Sequence, residues 1–339
     1  MIVVAAEKLG DVAAAWAAAG YRVIAPVRRG ALLRLDTWAP AQQILLDEVP
    51  VNSVKDAVFP PTEVIGRAGL EGDDFSLLKV EPEAPRTVVL GVRPCDAAAL
   101  AVLDRVFTWD CEDVFYTARR AATTVVSLAC SRADEHCFCT SVGVSPGATT
   151  NADACLRPAN GSTRYIVEPL TRRGEALVQA AGYALQEGAA TADPVAQAAP
   201  FLDSAAVTGW LAGHFDHPVW QEMSLACLGC GACAFACPGC HCFDIQDDAS
   251  RTRAVRRRNW DTCALGLFTL HASGHNPRGD QAARWRQRVM HKFRYLPERF
   301  GLLGCTGCGR CSRLCPNGLS MADACRHVAL LAAQEGRVR

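Results

Sequence analysis

Eight of the 18 cysteines in this chain fall into two copies of one pattern, Cys227-x2-Cys230-x2-Cys233-x3-Cys237-Pro238 and Cys305-x2-Cys308-x2-Cys311-x3-Cys315-Pro316. This is the bacterial spacing that holds cubane [4Fe-4S] clusters, in which three close thiolates serve one cluster and the fourth serves its neighbour. On that rule Cys227, Cys230, Cys233 and Cys315 hold one cluster, and Cys305, Cys308, Cys311 and Cys237 the other. The chemistry implied is one-electron transfer. Two-residue gaps aim three sulfurs at three corners of a cube, and Gly229, Gly231, Ala232, Gly307 and Gly309 let backbone amides approach it. Proline after the fourth cysteine keeps the next turn from crowding the cube. Structural zinc is the alternative, since Cys-x2-Cys pairs suit tetrahedral zinc, but zinc needs no proline-ended fourth cysteine in each half.

A second group lies in the N-terminal half. Cys95, in Gly91-Val-Arg-Pro-Cys-Asp96, ends one expected strand, and Cys130-x6-Cys137-Phe138-Cys139 follows another. Strand ends of α/β domains are where sites are built, so these four cysteines are candidates for a third [4Fe-4S] cluster. Asp96 in place of one sulfur, or Cys95 as a small buried hydrophobe, are the competing readings. Cys111, Cys155 and Cys325 have no companions and read as core, and Cys240, Cys242 and Cys263 read either as an additional ligand set or, preferred, as packing around the clusters. His136, His241, His271, His275 and His291 read as surface or supporting groups, with His241 and His275 nearest the motifs. No Ser/His/Asp or two-His-plus-carboxylate set stands out, so no catalytic residue is assigned.

These residues must be positioned by elements that change character once along the chain. Residues 1–200 read as an α/β domain, with a helix at 8–19, strands at 21–26, 87–92, 124–128 and 164–168, and a helix at 97–107. Residues 186–200 are Ala-rich and read as a linker or a poorly packed connection. Residues 201–339 read as a mainly α-helical, ferredoxin-like domain, with a helix at 204–226 delivering Cys227 and a closing helix at 321–336. Its two motifs are separated by a long insertion, 239–304. That insertion carries Arg256-Arg257-Arg258 and a basic helix at 284–294, either a solvated face or, through Arg284, Arg286 and Arg288, a docking surface for an acidic partner.

The chain has 339 residues, half of them hydrophobic, with 35 basic and 35 acidic side chains. It can bury real cores, and no bulk field advertises nucleic acid or an anionic membrane. There is no secretory leader pattern, and no apolar stretch approaches the roughly 18 residues of a membrane span. A reducing cytoplasm suits this many thiolates. Neither Gly-x-Gly-x-x-Gly after a strand nor a phosphate loop is present, although a flavin site needs no such motif.

The combination of Gly91-Val-Arg-Pro-Cys-Asp, Cys137-Phe-Cys139-Thr-Ser, Cys237-Pro-x-Cys240-x-Cys242, Trp260-Asp-x-Cys263, Gly274-His and Cys308-Gly-Arg-Cys resembles the beta-subunit family of cytoplasmic sulfhydrogenases, which also includes one of the subunits of anaerobic sulfite reductase. The resemblance covers nearly the whole chain, most strongly 88–145 and 225–318. It implies a relay role in a cytoplasmic complex, with a flavin- and NAD(P)-binding subunit on one side and a catalytic subunit on the other, either a nickel-iron hydrogenase or a sirohaem reductase. Gly239-Cys-His departs from the usual family residues without touching an expected ligand. A self-contained flavin-dependent iron-sulfur oxidoreductase is the competing reading, and a binding module stapled by clusters is a weaker third.

Overall fold

The computed structural model describes residues 1–71 and 74–336. Four strands carry the apolar content of the N-terminal half: β1 (Ile2–Ala5), β2 (Arg22–Arg29), β6 (Thr87–Val92) and β7 (Thr123–Leu128). They join β3 (Leu32–Thr37), β8 (Ala154–Ala159), β9 (Arg164–Pro169) and β10 (Gln186–Glu187) in an eight-stranded sheet of order β10-β1-β9-β8-β7-β6-β2-β3. Pairs β2/β6, β6/β7 and β7/β8 are parallel. β6 and β7 are buried at every residue, the mark of parallel strands covered on both faces. Val88, Leu90, Val126 and Leu128 pack with Trp16 and Leu177 on one face, while Val89, Val92 and Val125 pack with Phe59, Leu100 and Phe107 on the other.

Expected strands and helices of this half recur with shifted ends: the first helix is Leu9–Ala18 and the helix after β6 is Pro94–Val106, with proline at its first position. The stretch expected as a linker is instead laid on the sheet. Gln186 and Glu187 pair with β1, and the Ala196 amide donates to the Cys130 carbonyl at 2.8 Å.

Residues 201–336 are less uniformly helical than expected. The helix at 204–226 is two helices, Ser204–Gly213 and Val219–Ser224, because His217 precedes Pro218 and Gly213 ends the first run. The insertion also forms a β-hairpin, β11 (Phe243–Ala249) and β12 (Arg253–Trp260). It pairs with β4 (Thr62–Glu71), which pairs with β5 (Asp74–Leu78), so a second sheet runs β11-β12-β4-β5 and draws strands from both halves. Arg258, opposite Glu63 in that pairing, is 4% exposed and bonds Glu63 through Nε at 2.8 Å. Glu63 also binds Arg119, and Arg258 binds Asp113.

The helices Gln281–Met290 and Met321–Gly336 pack with Ser204–Gly213 and Val219–Ser224 around Trp210, Leu211, Trp220, Trp285, Val289 and Val328. After Met290 one π-helical turn, His291–Tyr295, continues the first of these. Among the described residues no helix is long and apolar enough to cross a membrane.

Candidate metal centres

The two cysteine motifs fold alike. Gly231 and Gly309 adopt φ of 76° and 72° and open the short turns Ala232–Phe235 and Arg310–Arg313, a left-handed start that a side chain would strain. Cys227, Cys230, Cys233 and Cys315 line one cleft together with Cys311, Trp285 and Arg288. The Gln281 amide donates to Cys227 Sγ at 2.9 Å, and the Leu319 N–H donates to Cys315 Sγ at 3.2 Å. Cys230 lies exposed at the outer end of this cleft, flanked by Leu225 and Leu228 at 84% and 66% exposure.

The other expected set is Cys305, Cys308, Cys311 and Cys237, of which Cys311 also lines the first cleft. Burial pushes the Cys305 and Cys308 thiols up to about 12, and Cys237 lies within electrostatic reach of both. Cys237 itself is held well below the ordinary thiol value, first by its hydrogen bond with Cys240 and then, against burial, by Lys292. Lys292 Nζ donates to Cys237 Sγ at 3.2 Å.

Cys95, Cys130, Cys137 and Cys139, carried at the C-terminal ends of β6 and β7, line a single cavity of about 1100 Å³ that also reaches Cys308. Their convergence follows from the parallel pairing of the two strands. Arg313 Nη2 stands 3.4 Å from Cys137 Sγ, and Arg93 Nη1 stands 4.0 Å from Cys130 Sγ. Arg93 is 8% exposed and its Nε has no partner. The cysteine loop lies directly on the second motif, where the Phe138 N–H donates to the Gly307 carbonyl at 2.9 Å. A Cβ on Gly307 would stand 2.4 Å from the Cys139 nitrogen, and one on Gly309 2.6 Å from the His136 carbonyl oxygen.

Asp96 is committed elsewhere, since its carboxylate pairs with Arg310. Cys155 and Cys325 are buried as expected, whereas Cys111 is exposed and is no core residue. Cys240 adjoins Cys237, and Cys242 adjoins Cys263 at the base of the β11–β12 hairpin. His271 and His275 are at the surface and His136 is partly exposed. His241 and His291 sit 5.3 Å apart, and burial lowers them to about 4 and about 3. Sequence reasoning missed the buried cations Lys55, Arg288 and Lys292; the four-residue spacing of Arg288 and Lys292 on one helical face was the available signal. Arg288, read as part of a surface helix, is 3% exposed. Among the described residues no three His, Cys, Asp or Glu side chains gather closely enough to hold one metal ion.

Residues 226–319 match the family model of the 4Fe-4S dicluster domain. The chain is 27% identical over 310 residues to sulfhydrogenase 2 subunit beta of Pyrococcus furiosus, covering 87% of this chain and 88% of that one. No solved structure matches it significantly. The donor chemistry fits the family model: Cys227, Cys230, Cys233, Cys311 and Cys315 line one cleft, with amide donors on the sulfurs of Cys227 and Cys315. The chain is therefore an iron-sulfur electron-transfer protein with two [4Fe-4S] clusters. Within that class it is a homologue of sulfhydrogenase 2 subunit beta.

Proposed function

We propose that this chain is the relay subunit of a cytoplasmic hydrogenase complex of the sulfhydrogenase kind, with a flavin- and NAD(P)-binding subunit on one side of it and the catalytic subunit on the other. Cys227, Cys230, Cys233 and Cys315 hold one cluster, Cys305, Cys308, Cys311 and Cys237 the second, and Cys95, Cys130, Cys137 and Cys139 a third. When bound, such clusters exchange single electrons. The observation that carries the reading is the seating of the Cys137–Cys139 loop on Gly307, which puts the N-terminal cysteines against the second motif. Three thiol sets then follow one another from the large cavity to the exposed Cys230.

The surrounding side chains serve that path. Arg93 and Arg313 offset thiolate charge at the cavity end, and the unpaired Arg93 Nε is a donor in need of an anionic acceptor. Gln281 and the Leu319 amide do the same for the first set, and such donors stabilise the reduced form. The apolar rim of Leu225 and Leu228 beside Cys230 is suited to a partner that excludes water there.

A second reading, a self-contained flavin-dependent oxidoreductase, is favoured by the cavity alone, whose volume of about 1100 Å³ exceeds what one cluster fills. Anaerobic purification from native cells at low salt, with identification of what copurifies, tests both. A nickel-iron protein with a flavoprotein supports the relay in a hydrogenase, and a sirohaem protein moves the relay to a sulfite reductase. A chain that arrives alone with bound flavin supports the oxidoreductase and sinks the relay.

A further inference from the structure

The two fourth cysteines of the motifs, Cys237 and Cys315, are equivalent by sequence but not by surroundings. Cys315 Sγ receives one neutral backbone N–H, from Leu319. Cys237 Sγ receives the Lys292 ammonium, which is 5% exposed and spends another hydrogen on the Gly304 carbonyl at 2.8 Å, just before Cys305.

Two further buried cations stand behind Lys292. Arg288, one turn earlier, donates to the Cys233 carbonyl at 2.8 Å and reaches Cys240 Sγ at 3.7 Å. Lys55, 2% exposed and contributed by the N-terminal half, donates to the Phe235 and Cys240 carbonyls at 3.2 Å each and lies 3.6 Å from the centre of the Trp260 ring. All these polar contacts are to carbonyl oxygens or cysteine sulfurs, and none is to a carboxylate. A buried cation is stabilised by adjacent negative charge, and cysteine sulfurs holding a cluster would supply it beside Lys292. Arg310 next to Cys308 differs, because Asp96 neutralises it. The π-helical turn His291–Tyr295 is where Lys292 leaves the regular helix path.

We propose that Lys292, backed by Arg288 and Lys55, makes the site of Cys237, Cys305, Cys308 and Cys311 the higher-potential one of the two motif sites. A fixed positive charge against a ligand sulfur, shielded from water, favours the state with one more electron. The electron then rests in the middle of the path, beside the N-terminal cysteines, and leaves toward Cys230 uphill. This inference rests on the crossed ligand sets proposed above.

The test is a potentiometric titration of the full chain, purified anaerobically and followed by EPR, with iron counted in each sample. A Cys237→Ala chain that keeps all its iron overturns the ligand set itself. In the unmodified chain, the signal that disappears on Cys311→Ala must titrate above the one that disappears on Cys230→Ala; the reverse order overturns the inference. Lys292→Met, with iron intact, is expected to lower that first midpoint by at least tenfold in the oxidised-to-reduced ratio, about 59 mV for one electron. Lys292→Arg should restore most of it. An unchanged midpoint in Lys292→Met, or an equal fall in Lys292→Arg, sinks the role of charge.

Discussion

Arg310 and Asp96 form a pair in which each side chain is 1% exposed, with Nη2 donating to Oδ2 at 2.7 Å. Arg310 stands two residues after Cys308 and Asp96 one after Cys95, so a single ion pair fixes the second motif to the start of the helix Pro94–Val106. Arg310 Nε adds a bond to the Pro50 carbonyl at 2.8 Å, which ties in a third segment.

Removing one partner leaves a buried charge alone. Asp96→Asn or Arg310→Met is expected to destabilise the chain by about 3–5 kcal/mol, while the double replacement by apolar residues recovers much of the loss. Denaturant unfolding of the anaerobic chain measures this, and additive losses in the double variant would show that the pair is not a unit.

Gly307→Ala is expected to release the Cys137–Cys139 loop, because its Cβ meets backbone that cannot yield. Gly318 has a similar φ of 68° but open space around it, so Gly318→Ala bears only the left-handed strain of about 1 kcal/mol. Iron analysis should show a deficit in the first variant and none in the second.

Glu63→Gln removes the carboxylate shared by Arg119 and Arg258. Arg258 keeps Asp113 as a partner, so a loss of about 1–3 kcal/mol is expected, from weakening the network rather than leaving a lone buried charge. Hydrogen exchange should rise along β12 and β4, and protection equal to that of the native chain would rule out this network as the clamp of the second sheet.

Acid should weaken the fold through His291 and His241. Both have folded values depressed by burial, to about 3 and about 4, below the ordinary 6.5. Stability is therefore full above pH 6.5 and lost progressively as pH falls toward those values, because only the unfolded state takes up protons there. His291→Gln should flatten the upper part of that fall, as read from unfolding midpoints between pH 7 and 5. An unaltered profile would mean that other groups govern it.

Cys233→Ser is expected to remove one cluster and break electron passage while the eight-stranded sheet stays folded, since the sheet core shares no residue with that motif. Iron content, circular dichroism and donor-to-acceptor electron transfer check the three parts. Intact transfer in this variant would refute the relay.

The cysteine spacing made the motifs legible, and the continuous apolar runs at 87–92 and 123–128 made the parallel strands legible. What the sequence hid depends on distant partners. Residues 243–260 carry three aspartates and five arginines, a composition that looks solvated until β4, far earlier in the chain, is set beside it. Arg288 and Lys292 look like surface charge because the sulfurs and carbonyls they meet are contributed by other loops. Cys111 was misread because isolation along the chain says nothing of exposure.

The shared second sheet also bears on how the molecule is made. β4 emerges from the ribosome with one neighbour, β5, and its other edge stays open until β12 has been synthesised, by which time Cys227 through Cys242 have also appeared. An open edge of that kind invites pairing with other chains. On the crossed ligand sets proposed above the two sets are complete only once Cys311 and Cys315 have appeared, well after β12, so the sheet can close its open edge before either cluster is built.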